Sequence, residues 1–151
     1  MTELVYSYGN SVGGIRQIRC APVAGIESST AAGALSFLTG YGWISLYGTD
    51  FTKSYSEESE RTDNGDLWTV STGLFFPGDS ADVRALIAQL KAFDRYLIGC
   101  QDNHGLWRRL GSVVESLTMS YKFGIGPNVG DRRGYTISFA GTLTSCPPIL
   151  P

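Results

Sequence analysis

The chain predicts an α+β fold built mainly from antiparallel strands, with one α-helix over about residues 79–93. Three observations point there. In several runs large residues alternate with small or polar ones, the period of two that marks a half-buried strand. In one stretch the period changes: Val83, Leu86, Ile87 and Leu90 stand at i, i+3, i+4 and i+7, the apolar stripe of an amphipathic helix. Short turn signals separate the runs, above all Asn64-Gly65, and these join antiparallel neighbours.

Taken in order, residues 1–49 are glycine-rich and the least patterned. Ile15 to Cys20 alternates after Gly13-Gly14, and Pro22 breaks it. Residues 28–33 are a small-residue loop, and residues 35–39 and 43–47 read as strands on either side of Gly40-Tyr41-Gly42. This third reads either as an intersubunit arm that docks on a neighbour or as a run of surface turns. Residues 50–144 form the core of one domain spanning 1–151, and residues 145–151 an extended, proline-rich tail.

Phe51 to Glu60 alternates, turns at Asn64-Gly65 and returns through Leu67 to Phe76. With Asn64 and Gly65 central in the turn, Tyr55 falls opposite Leu74, Ser59 opposite Val70 and Arg61 opposite Trp68 on an apolar face. The reverse face pairs Ser56 with Gly73, Glu58 with Ser71 and Glu60 with Thr69. Pro77-Gly78 ends the strand. Asp79 or Ser80 caps the helix, Asp82 sits in its first turn, and Val83, Leu86, Ile87 and Leu90 are all expected in the core. Tyr96 to Cys100 is the next strand, and Asp102-Asn103-His104-Gly105 turns it into Leu106-Trp107. Residues 113–123 alternate again. Residues 124–130 form a loop that fails the dinucleotide-binding glycine pattern, and Tyr135 to Leu143 is a last strand.

Charged residues make up 17% of the chain, below the roughly 25% usual for soluble domains, which suggests that part of the surface meets protein. The net charge of −2 argues against a dedicated nucleic-acid binder. No apolar run approaches the ~18 residues of a membrane span, and the start of the chain lacks the basic region of a secretory leader.

Chemistry-bearing constellations are sparse. Cys20, Cys100, Cys146 and His104 could be drawn together as a zinc set, but structural zinc ligands come in close pairs and only Cys100 and His104 are near neighbours. Free thiols are the better reading, with no metal and no cofactor. His104 reads as a turn residue, and no nucleophile motif accompanies it, so no enzyme activity is expected. Asp63, Asp66 and Asp102 lack calcium-loop spacing, although residues 63–66 could hold an ion loosely. Within Arg108-Arg109 and Arg132-Arg133, adjacent side chains point to opposite faces and suit separate salt bridges.

From Trp68 to Leu143 the chain resembles a group of small structural proteins of Bacteroidetes phages and prophages. The likeness rests on the strand–helix–strand run, Gln101-Asp102-Asn103-His104-Gly105, Arg109-Leu110-Gly111-Ser112, and the segment from Asp131-Arg132-Arg133-Gly134-Tyr135 to Gly141. The order of elements is also similar to the tail-tube fold of phage tails. That resemblance implies a β-sandwich or partly closed barrel flanked by one helix. It further implies hexameric rings that stack into a DNA-conducting tube, contacts with other tail proteins, and residence in the virion after assembly in the bacterial cytoplasm. A tail terminator, neck connector or baseplate component has a related fold and is the nearest alternative. A monomeric carbohydrate-binding β-sandwich, using Trp43, Trp68 and Trp107, is the alternative from another class.

A DNA-conducting bore must not grip phosphates, because each Lys or Arg that neutralises one adds salt-dependent affinity. The polar hairpin face, Ser56, Glu58, Glu60, Thr69 and Ser71, has the small, acidic character such a wall requires and is the lumen-facing candidate. An outer, solvated face would show the same pattern.

Overall fold

The computed structural model describes residues 13–30 and 34–150. The part of the expected arm before residue 13 lies outside them.

Among the described residues eleven strands and one α-helix follow one another: β1 Ile15–Pro22, a 3-10 turn at Val23–Gly25, β2 Ile26–Ser29, β3 Leu35–Phe37, β4 Ile44–Leu46, β5 Ser54–Thr62, β6 Gly65–Pro77, α1 Ala81–Phe93, β7 Arg95–Asp102, β8 Trp107–Leu110, β9 Leu117–Ile125, β10 Arg133–Leu143 and β11 Ile149–Leu150. β2 and β3 form a separate hairpin; the other nine strands make one sheet. Every pairing is antiparallel. No helix among the described residues is long and apolar enough to cross a membrane.

β7 is the branch point of the sheet. One of its edges pairs with β1, from Ile15 opposite Asp102 to Pro22 opposite Tyr96. The other edge pairs with β8 over Ile98 to Gln101 and, at its start, with β9 through Arg95 and Tyr96. Beyond β9 come β10, β6 and β5, while β4 adds to β1 and β11 to β8. The sheet is not closed into a barrel: among the described residues β4, β5 and β11 each pair on one side only. It bends instead, so that β6 and β10 pack across from β1 and β7. Tyr96 meets Phe139 edge-on at 5.5 Å, and the Thr72 hydroxyl lies 3.5 Å from the Cys100 sulfur. Ile18, Val70, Leu74, Ile98, Leu117 and Phe139 fill the space between.

α1 begins where the sequence places it. The Ser80 hydroxyl accepts the Val83 N–H at 3.2 Å, satisfying one of the donors that a helix start leaves open. Asp79 ties this end to the sheet, accepting the Tyr135 hydroxyl at 2.8 Å and the Arg84 guanidinium at 3.0 Å. Ile87 and Leu90 are buried and Val83 is half-buried. Leu86 is 48% exposed, which corrects the expectation of a four-residue buried stripe. Among the described residues β4, three residues long, pairs on one edge only, and no strand covers this flank of α1. Leu86 therefore rims an apolar groove of about 150 Å³ with Leu46, Tyr47, Phe76 and Val83.

A second correction concerns the strand expected from residue 113. Residues 111–116 form a loop, started by Gly111 at φ +89° and closed by the Ser112 N–H on the Glu115 carbonyl at 2.7 Å. Val114 consequently stands 86% exposed.

Candidate functional site

The outer face of the four strands β9, β10, β6 and β5 forms one continuous surface. Alternation puts Ser54, Ser56, Glu58 and Glu60 of β5 on it beside Thr69, Ser71 and Gly73 of β6. The same face continues through Thr136, Ser138, Ala140 and Thr142 of β10 to Thr118, Ser120 and Lys122 of β9. Hydroxyls bond across the strands: Ser56 to Ser71 at 2.8 Å, Ser120 to Ser138 at 2.8 Å, and Thr118 to the Ala140 carbonyl at 3.3 Å. These bonds hold short side chains flat against the sheet. The result is a wall of mainly small polar groups, with two glutamates beside Leu67 at one end and Lys122 near Phe75 at the other.

All five lumen-facing candidates, Ser56, Glu58, Glu60, Thr69 and Ser71, therefore share one face, but their expected pairing is corrected. Ser56 lies opposite Ser71, Glu58 opposite Thr69, and Glu60 opposite Leu67. On the other face Tyr55 meets Thr72, Ser59 meets Trp68, and Arg61 meets Asp66 in a 3.1 Å ion pair. The slip of two comes from the turn, whose central residues are Asp63 and Asn64. The Thr62 hydroxyl donates to the Gly65 carbonyl at 2.7 Å and accepts the Asn64 N–H, fixing residues 62–65 as the turn. Gly65, at φ +122°, supplies the conformation needed just after it. A slip of one would have exchanged the faces; a slip of two preserves them. The hairpin runs past the core, so Glu57, Ser59 and Arg61 are exposed although they share a face with buried Val70 and Thr72.

The remaining candidates are dispersed. Asp102 accepts the backbone N–H of exposed His104 at 2.9 Å and pairs with Arg108 at 2.8 Å, and that guanidinium holds its carboxyl below the usual carboxylate range. The histidine belongs to this turn, and no group of three His, Cys, Asp or Glu able to hold a metal occurs among the described residues. Cys20 and Cys100 are buried and Cys146 is exposed; none is bonded to another. Burial pushes the Cys20 thiol up to about 12 and Cys100 up to about 11. The Thr72 hydroxyl donates its proton to the Ser54 carbonyl at 2.8 Å, which leaves the Cys100 thiol as donor to Thr72. Arg108 and Arg109 do turn to opposite faces of β8, since Arg108 shares the core side with Asp102. Arg132 lies over the ring of Phe75 at 5.5 Å.

One feature lies beyond the sequence patterns. The Arg19 guanidinium is stacked between Trp43 at 4.3 Å and Trp107 at 4.1 Å, and burial lowers its pKa. Arg19 pairs with Gly99 across β1 and β7, and a Cβ there would stand 2.9 Å from its Nε. Only a glycine lets the side chain lie across the strand to reach both indoles. Each tryptophan thus turns a ring face onto Arg19, while Trp68 packs against the core from β6. Trp43 and Trp107 thus share one site through Arg19, and Trp68 stands apart from them.

Comparisons with protein-family models, with curated proteins and with solved structures found no match to the chain.

Proposed function

We propose that this chain is a virion structural protein, a phage tail-tube subunit whose copies form stacked hexameric rings around a DNA-conducting bore. It has no catalytic residues in this reading and works through self-association and contacts with other tail proteins. The observation behind the proposal is the four-stranded wall of small hydroxyl side chains, flanked on one side by the open edge of β5. A free edge presents unpaired N–H and C=O groups to another chain, and a ring of copies satisfies them without leaving an end. A bore lined mostly by serine, threonine and glutamate, with Lys122 at one end, offers phosphates little to bind, so DNA can slide. The Bacteroidetes phage resemblance supplies the ring symmetry and the DNA.

The test is electron microscopy of the assembled particle. Glu58 and Glu60 should face the axis of a ring or tube. Finding them on the outer wall with basic residues around the bore, or finding a protein that remains monomeric when concentrated, would overturn the reading.

A further inference from the structure

We infer that copies of this chain stack end to end through opposite charges at the two ends of the β9–β10–β6–β5 wall, the acidic hairpin end of one against the basic end of the next. The inference rests on the ring reading above and adds to it which surfaces meet and in which polarity.

The charges lie at opposite ends by register. Glu58 and Glu60 flank Thr69 and Leu67, close to the hairpin turn, where Asp63 is also exposed. Lys122 lies opposite Thr136, which lies opposite Phe75; Arg133 precedes Gly134, opposite Pro77; and Arg132 covers Phe75. From Leu67 to Phe75 the strand rises roughly 26 Å at about 3.3 Å per residue. That exceeds the Debye length of about 8–10 Å at physiological salt, so the two sets cannot neutralise each other within one subunit.

Neither set is joined in an ion pair among the described residues, although Arg132 lies over Phe75 and Arg133 acts at a distance on the Asp79 carboxyl. Among the described residues the ion pairs join Lys53 to Asp50, Arg61 to Asp66, Arg84 to Asp79 and Arg108 to Asp102. None involves Glu58, Glu60, Lys122, Arg132 or Arg133. The one acid in the basic-end loop, Asp131, is exposed and accepts the Asn128 N–H at 2.8 Å, so it offsets one of the three cations there. Each end also presents an apolar tip. Val129 is 108% exposed in the loop between β9 and β10, and Val114 is 86% exposed beside the acidic end, where Glu115 is held by Thr144. Two like ends would repel. A head-to-tail contact pairs glutamates with arginines and buries a valine from each side, and such a heterologous contact repeats without closing.

Three forms of the full chain test this: wild type, Glu58→Lys/Glu60→Lys, and Lys122→Glu/Arg132→Glu/Arg133→Glu. All altered positions are exposed, and thermal unfolding checks that each form folds. Ring formation is read by native mass, and stacking by light scattering and negative-stain length. Raising salt from about 50 to about 500 mM, which cuts the Debye length roughly threefold, should shorten wild-type stacks while rings persist. Each variant alone should form rings that do not stack, since both of its ends then carry one sign. Mixing the two variants should restore stacks. Variants that stack as wild type does, or wild-type rings that meet acidic end to acidic end, would overturn the inference while leaving the ring reading intact. Wild-type protein without rings would defeat both.

Discussion

Replacing Leu90 by alanine should cost about 3 kcal/mol, whereas the same change at Leu86, four residues earlier on the same helix, should cost only about 1.2 kcal/mol. Both leucines belong to one apolar stripe, yet Leu90 is 2% exposed and Leu86 is 48% exposed. Truncating Leu90 loses the full transfer energy of three carbons, about 0.8 kcal/mol per CH₂, and adds a cavity term because the surrounding core relaxes only partly. Truncating Leu86 loses about half the transfer energy and leaves no enclosed void, because its groove is already open to water. Urea unfolding at a protein concentration too low for association should show both variants with the wild-type slope and midpoints ordered wild type, Leu86→Ala, Leu90→Ala. Leu86→Asp should still fold. Equal losses at the two positions, or an unfolded Leu86→Asp, would refute the view that the flank of α1 is uncovered.

Two further outcomes follow from the same packing. The carboxyls of Asp79, lowered chiefly by the Tyr135 hydroxyl, and of Asp102, lowered chiefly by Arg108, lie below their unfolded values. Their contribution is therefore complete above the unfolded pKa of about 3.9 and is lost as pH falls through the folded values. Asp79→Asn should flatten the stability-against-pH curve between about pH 5 and 2.5, and an unchanged acid limb would contradict the assignment. Gly134→Ala should be far more damaging than its size implies, because a Cβ there would collide with the Phe76 carbonyl oxygen and crowd Pro77. A drop in melting temperature well beyond that of Gly124→Ala, whose site has open space, is the expected result.

The local elements were legible because each is governed by neighbours in sequence. The α1 stripe, its Ser80 cap, the Pro77-Gly78 stop and the alternation of β5, β6 and β10 all express periodicities of the backbone itself. The turn at residues 62–65 was placed one residue off, which shifts the strand pairing by two, because Asn-Gly signals a hairpin without stating which residues are central; the Thr62 side chain decides it. The faces survived because strand periodicity is two.

By itself, then, the sequence determined the class of fold, the single helix, and the small polar face that includes Ser56, Glu58, Glu60, Thr69 and Ser71. Tertiary structure decided the rest, since each remaining feature depends on pairing between distant segments. Leu86 is exposed because no strand among the described residues covers that flank of α1, and the sheet stays open because β4 and β5 have no further partner among them. Arg19 finds Trp43 and Trp107 only when β1, β7 and β8 lie side by side with Gly99 between them. The extension of the hydroxyl wall across β9 and β10, and the separation of its charges to opposite ends, depend on the β6–β10 register, which joins residues more than fifty positions apart. No short-range pattern encodes such registers; they are set by which apolar faces pack together in one core.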